Sequence, residues 1–328
     1  MSASLFGNFV NWSLGKFFVS YPFEHVDILL KTQYGGNTAC NRVGKPTKNL
    51  YKISPGFVWI NNPHYNKNFP SLAENLNIVS HKKTIFISCC NNEFAEYFSD
   101  NHYESIKVGK EAILNLNENH FINSRLRESI RAGLRHGTTR EYIYCQLNVA
   151  KLEEFKLVSR HGKEPQLKYF FNVKFTPNNR LFILEDKTGR WLGALLLFKA
   201  DNEKFKTDLI LRRNNAPNGV MEALIYETFN KLKSEGYLMW SLGEVPYIVY
   251  DSRFLSKEYF VNTIGRNLKF AYNYSGLYKF KNKFNPTWND VFICSSRGLN
   301  LTILIKVFIR SNLIQLVIQK LLFKIKAA

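Results

Sequence analysis

Cysteine is scarce in this 328-residue chain. There are five, an odd number, at Cys40, Cys89, Cys90, Cys145 and Cys294, with no CxxC pair and no Cys/His group at zinc spacing. A disulfide framework and a Cys/His metal centre are therefore excluded as organising devices, and free thiols fit a reducing, cytoplasmic compartment. The vicinal pair Cys89-Cys90 closes an apolar run that begins at Thr84, and reads as buried strand. No uninterrupted apolar stretch reaches the ~20 residues that a bilayer-spanning helix needs. Residues 1–19 lack a basic n-region and a small-residue cleavage site, so no signal peptide is expected. Neither a Ser-His-Asp nor a Cys-His arrangement is visible, which argues against a covalent enzyme intermediate. No metal and no cofactor is expected, and no self-similarity is detectable between the two halves. Acidic residues are also few, 26 against 45 Lys and Arg, leaving a formal net charge of +19. A field of that sign attracts polyanions, of which nucleic acid and anionic lipid are the common ones. A uniformly Lys-rich composition gives the same excess with no partner at all.

What is present is a globular chain, 45% hydrophobic and long enough for two domains. Phe6, Phe9, Val10, Leu14, Phe17 and Phe18 recur at helical spacing over residues 1–19. Strands are expected at Val26–Lys31, Gly56–Ile60 and Thr84–Cys90, and a helix between Asn68 and His81. The segment Gly109–Leu116 leads into a basic helix, Asn123–Gly137, with Leu126, Ile130 and Leu134 as its apolar face and Gly137 as its C-cap. That helix carries Arg125, Arg127, Arg131 and Arg135, which suit phosphates; a solvated surface helix looks the same. A helix at Leu147–Ser159 follows, then the hairpin Leu181–Asp186/Trp191–Lys199, strand Asp208–Arg212, helix Val220–Ser234 and strand Leu238–Leu242.

The stretch from Asp208 to Trp288 holds the candidate chemistry. Arg212-Arg213-Asn-Asn-Ala216-Pro217-Asn218-Gly219 is a turn between a strand and a helix, whose free N–H groups suit an anion or a polarised carbonyl. It is equally the form of a plain Pro/Gly-capped turn. Glu222 lies in the first turn of the helix, where the dipole favours an acid for structural reasons too. Asp208 and Glu244 are further acidic candidates. In Ser241-Leu242-Gly243-Glu244-Val245-Pro246 the glycine permits close backbone approach, or merely marks a strand exit. Last comes a basic aromatic loop, Tyr278 to Trp288, where Lys281 and Lys283 alternate with Phe280, Phe284 and Trp288. Lysines anchor phosphates and aromatics stack on bases, although an exposed strand edge shows the same alternation.

These motifs, in this order, resemble the C-terminal catalytic domain of the bacterial multiple peptide resistance factor family (DUF2156), the lysyl- and alanyl-phosphatidylglycerol synthases. The resemblance covers roughly residues 50 to 296 and is densest after Asp208. It implies an α/β protein of tandem acetyltransferase-like (GNAT-like) units, residues 1–145 and 146–297; beyond them, residues 298–328 read from their own pattern as a C-terminal amphipathic helix. It implies an aminoacyltransferase that moves an amino acid from charged tRNA to a phosphatidylglycerol-like membrane lipid. Lys281, Lys283, Arg212 and Glu222 would be catalytic. Asp208, Arg213, Asn218, Gly219, Gly243, Glu244, Phe284 and Trp288 would bind substrate, and the four helix arginines would bind tRNA. Ala216 and Pro217 replace the glycine pair of ordinary acetyltransferases, against the usual coenzyme A grip. Residues 299–326, apolar but carrying Lys306, Arg310, Lys320 and Lys324, are expected to form one helix in the membrane interface, its four charges within roughly 80° of one another; a helix packed on the protein or on a second copy of it has the same pattern. Peripheral attachment to the inner face of the cell membrane follows. Two readings stand beside this one: an N-acyltransferase using an acyl thioester, and a non-catalytic RNA- or membrane-binding protein on the same scaffold.

Overall fold

The computed structural model describes residues 50–54, 56–61, 83–162, 164, 165, 167, 168, 174–248 and 257–327. The helices expected at 1–19 and 68–81, the strand at Val26–Lys31 and Cys40 lie outside them. Ten strands form one sheet: β1 (Leu50–Ser54), β2 (Phe57–Asn61), β3 (Thr84–Cys90), β4 (Glu104–Asn115), β5 (Thr138–Tyr142), β6 (Asn179–Glu185), β7 (Trp191–Lys199), β8 (Lys204–Arg212), β9 (Met239–Pro246) and β10 (Thr287–Ser295). Their spatial order is β1-β2-β3-β10-β4-β9-β8-β7-β6-β5. The described helices are α1 (Asn92–Asp100), α2 (Ser124–Leu134), α3 (Gln146–Val158), α4 (Val220–Ser234), α5 (Lys257–Asn267), α6 (Tyr274–Asn282), α7 (Leu301–Arg310) and α8 (Leu313–Ala327).

Both faces of the sheet are covered, which is why its strands read as continuous apolar runs. In β3, Ile85 and Ile87 face the cluster that holds Phe94 and Phe98 of α1, whereas Phe86 faces Ile303, Leu304 and Val307 of α7. In the second half, α4 packs Val220, Leu224 and Phe229 against Leu195, Leu197 and Trp240, while α3 packs Leu152 and Phe155 against Leu196 and Trp191 on the other face. The expected α/β class and the β-β-β-α-β order of an acetyltransferase-like unit are both present, as β6-β7-β8-α4-β9. β10 lies between β3 and β4, and β4 lies between β9 and β10.

Several local expectations are corrected. The basic helix ends at Leu134 with Arg135 as C-cap. Gly137 is not the cap; its backbone runs against the Glu185 carbonyl, leaving no room for a Cβ. Gly133 takes the inward place assigned to Leu134, which is 37% exposed. Gly109–Asn115 belongs to a twelve-residue strand, β4. β9 does not stop at Leu242 but runs through Gly243 to Pro246. The basic aromatic loop is a helix, a short turn and a strand, because Leu277, Phe280, Lys281 and Phe284 fall on one helical side. The single C-terminal helix is two helices, broken where Asn312 adopts a φ of 63°. No single described helix is long and apolar enough to cross a membrane; α7 and α8 together pass on length and composition but are bent by 70°.

Candidate active site

Two neighbouring strands in the middle of the sheet come apart. β8 and β9 are parallel and pair only from Lys204–Met239 to Lys206–Ser241, after which each pairs solely with its other neighbour. The other parallel pair, β2 and β3, stays in register over all five residues of β2, with no such split. Thr207 marks the divergence: its hydroxyl donates to the Ser241 carbonyl at 3.0 Å and accepts from Trp240 Nε1 at 3.0 Å. Just beyond, Gly243 has a φ of +88°, a left-handed conformation that disfavours a side chain. A Cβ there would lie 3.4 Å from Lys281 Nζ and from the Thr207 carbonyl oxygen.

Lys281 reaches into this split from the last turn of α6. It is 3% exposed, and its Nζ donates to the Glu244 carbonyl at 3.0 Å. Burial pushes its pKa down to about 7, against the pull of Glu244 and Glu111. Glu244 and Glu111 are directly opposite one another on β9 and β4. Like charges so placed repel, and Lys206 resolves the conflict. Its Nζ, on a side chain 2% exposed, bonds Glu244 Oε1 and lies 3.2 Å from Glu111 Oε1. Ser241 Oγ donates to Glu111 at 2.6 Å and accepts from the Gly243 N–H at 3.0 Å. Asp208 stands one strand step beyond Lys206. Burial drives its carboxyl up to about 8, with Glu244 adding to the rise and Lys206 opposing it. Its buried Oδ2 has no hydrogen-bond partner among the described residues. Two further groups feel the Glu244 charge: the Tyr272 phenol, which burial and Glu244 push up to about 12, and the Cys89 thiol, raised by burial and by Glu244.

Asp208, Gly243, Glu244 and Lys281, all singled out in the sequence, are thus brought together. Lys206, Glu111, Cys89 and Tyr272 belong to the same cluster and were not singled out. A signal for Lys206 existed: Lys204 and Lys206 alternate along a strand and so share one face, before the pairing with β7 shifts register at Asp208. Nothing in the sequence links Glu111 or Cys89 to them, since only the strand order does so.

The remaining candidates lie around the start of α4. Lys283 Nζ pairs with Glu222 Oε1 at 2.7 Å; the lysine side chain is 48% exposed and the carboxylate nearly buried. Arg212 donates to the Ala216 carbonyl at 2.5 Å and reaches Pro217 O and Asn218 Oδ1 at 3.4 and 3.5 Å. Its guanidinium therefore holds the turn together. Arg213 is directed elsewhere, donating to Trp191 O at 2.7 Å and lying over the Phe155 ring. Gly219 has a φ of +86°, and its Cα faces the Ser129 carbonyl of α2 so closely that no Cβ fits. Asn218 is exposed, Phe284 is fully buried among Phe121 and Phe280, and Trp288 packs on Tyr278. Arg125, Arg127, Arg131 and Arg135 are all exposed on α2, and none has a carboxylate partner among the described residues.

Residues 62–295 match the family model described as phosphatidylglycerol lysyltransferase, C-terminal. The chain belongs to that family. A phosphatidylglycerol lysyltransferase of Bacillus subtilis (strain 168) is 24% identical over 267 residues, 77% of this chain and 31% of the relative. The chain thus spans about a third of that relative's length. The structure of L-PGS from Bacillus licheniformis superposes with a TM-score of 0.65 at 19% identity, covering 81% of this chain and 85% of that one. The C-terminal domain (DUF2156) of a putative lysylphosphatidylglycerol synthetase from Agrobacterium fabrum gives 0.58 at 18% identity, covering 75% and 79%. At these identities the likeness to these two structures is one of fold. The site residues are argued from this chain's own geometry.

Proposed function

We propose that this protein is an aminoacyltransferase that moves an amino acid from charged tRNA onto a hydroxyl of a phosphatidylglycerol-like membrane lipid. The observation that carries the reading is the split between β8 and β9 with Lys281 buried in it, in a chain of the phosphatidylglycerol lysyltransferase family. The lipid hydroxyl oxygen attacks the ester carbonyl, the bond to the ribose oxygen breaks, and the proton passes from the lipid hydroxyl to that ribose oxygen. An ester is already activated, so positioning and charge stabilisation supply most of the rate. In this scheme the Lys281 ammonium faces the carbonyl oxygen as negative charge develops. The unpartnered Asp208 Oδ2 receives the ammonium group of the amino acid, with Glu244 behind it. The Lys283–Glu222 pair lines the side nearer the turn, where Lys283 meets the terminal adenosine phosphate.

The donor approaches along α2. Its four arginines are exposed, and the helix packs backbone to backbone on the turn that starts α4, through Gly133 and Gly219. That packing also argues against an acyl-thioester donor, since Arg212 and α2 occupy the turn that grips pyrophosphate in ordinary acetyltransferases. The protein acts as a peripheral protein on the inner face of the cell membrane, with residues 299–326 on the lipid side. Binding of charged tRNA tests the donor. The dissociation constant should rise steeply with salt, and replacing Arg125, Arg127, Arg131 and Arg135 with Gln should reduce the log–log slope by about 3. An affinity that barely moves between low and moderate salt, or coenzyme A found bound to the purified protein by mass spectrometry, contradicts this choice of donor.

A further inference from the structure

The C-terminal pair α7–α8 lies beyond the family-matched residues 62–295 and is anchored on one side only. Ile303, Leu304 and Val307 of α7 are buried against Phe57, Trp59 and Phe86 of the sheet. Leu313 and Leu316 of α8 are buried against Ala271. The opposite side of each helix is also apolar, yet open. On α7 the exposed residues Leu301, Ile305 and Ile309 span roughly 80° of the helical wheel, and on α8 Ile314, Ile318, Leu321, Leu322 and Ile325 span roughly 100°. A soluble surface rarely tolerates eight large aliphatic side chains so grouped unless something covers them.

Charge decides what does. Residues 299–328 contain Lys306, Arg310, Lys320, Lys324 and Lys326 and no Asp or Glu, within a chain of net charge +19. On α7, Lys306 and Arg310 lie roughly 60° and 100° round from the edge of the open stripe. Lys320 is ion-paired with Glu164, and the other cations remain in excess around the stripe. Apolar residues flanked by such an excess of cations complement an anionic interface, where the aliphatics enter the acyl boundary and the cations meet headgroup phosphates. A protein partner would be expected to leave acidic or mixed polar groups at the rim.

The same helix pair is joined to the segment that carries Tyr272. Ala271, on which α8 packs, directly precedes Tyr272, whose phenol feels the charge of Glu244. We propose that α7 and α8 dock the protein on an anionic phospholipid surface, and that α8 thereby presents the Tyr272–Glu244 side of the split to the acceptor lipid. The side of approach rests on the transferase reading above; the docking itself does not.

The test is sedimentation of the full chain with vesicles, without tRNA, so that it is independent of catalysis. Vesicles of phosphatidylglycerol and phosphatidylcholine should carry the protein down at low salt and release it at high salt, and vesicles of phosphatidylcholine alone should leave it in the supernatant. The double variant Ile314→Asp/Ile318→Asp, both positions exposed, should bind at least about tenfold more weakly. A second variant, Lys306→Gln/Arg310→Gln/Lys324→Gln, leaves the aliphatics in place and should lose about tenfold or more in affinity for anionic vesicles. Binding unaffected by both variants overturns the proposal. So does equal binding to both vesicle types, or retention on vesicles through alkaline carbonate, which marks an inserted segment. If Ile314→Asp/Ile318→Asp instead turns a dimer into a monomer and leaves vesicle binding intact, the face belongs to a second copy and the proposal fails. Should wild type bind anionic vesicles yet transfer no amino acid, the transferase reading fails and the docking surface stands.

Discussion

Lys281, Lys206, Glu111, Glu244 and Asp208 place five ionisable side chains in the interior of one sheet. Desolvating charges costs several kcal/mol per ion after relaxation, and pairing recovers only part of that. Lys281 donates to a backbone carbonyl and Asp208 keeps an empty oxygen, so here stability is sacrificed, as happens where a site is held ready for a ligand. The sign of each shift makes this measurable. Asp208 in the folded chain titrates near 8 rather than 3.8, so its carboxyl burdens the fold increasingly as pH rises through that window. Asp208→Asn should therefore unfold at a higher temperature than wild type at pH 8, with the advantage shrinking towards pH 5. A difference that does not change with pH contradicts the placement of this carboxyl. Lys281 runs the other way. Its pKa is lowered from 10.5 to about 7, so the burden is greatest below pH 7 and is relieved as pH rises towards 10.5. Lys281→Met should be at least as stable as wild type at pH 6; a large loss of stability would mean that the lysine is structural. The same reasoning explains what was legible at this scale. Lys281 stood out because it sits within a motif, whereas Glu111 and Lys206 are distant in sequence and meet only through the order β4-β9-β8.

Among the elements, those with strong periodicity and clear ends were legible: α4, β7 and β3 run over the residues expected. Failures came where a local pattern had two readings. Residues 278–284 alternate base and aromatic, which resembles a strand edge, but Leu277, Phe280, Lys281 and Phe284 also follow helical spacing and the aromatics need burial. A lysine at an inward position of an apolar stripe is the detail that marks the site. The C-terminal segment broke in two because Ser311 and Asn312, both buried, end α7, a contact that periodicity does not reveal. α2 and α4 illustrate why a glycine can matter more than a neighbouring arginine. Gly219 combines a φ of +86° with direct contact on the Ser129 carbonyl, so Gly219→Ala suffers both backbone strain and a clash. Its urea midpoint should fall by the equivalent of about 2 kcal/mol or more, and the affinity for charged tRNA should fall with it as α2 is displaced. A variant of unchanged stability would show that the turn is not clamped in this way.

At the scale of the whole molecule, the described strands interleave: β4 lies between β9 and β10, and β10 between β3 and β4, so the ten form one sheet. A division into units 1–145 and 146–297 is proposed on that basis, with the split confined to the second unit, since β2 and β3 stay paired over the length of β2. Strand interleaving of this kind leaves no local mark in a sequence, which is why the order of elements could be anticipated and the neighbours of β4 could not. The account joins a basic approach along α2, a buried lysine at the split and an apolar, cationic pair of helices beside it into one path from charged tRNA to lipid. The direct measurement is transfer of radiolabelled amino acid from charged tRNA into the organic-soluble lipid of phosphatidylglycerol-containing vesicles. Wild type should label the lipid, free amino acid with coenzyme A should not, and Lys281→Met should be slower by about 10²-fold or more. Lipid that stays unlabelled with every charged tRNA, or a Lys281→Met protein that transfers at the wild-type rate, would contradict the account.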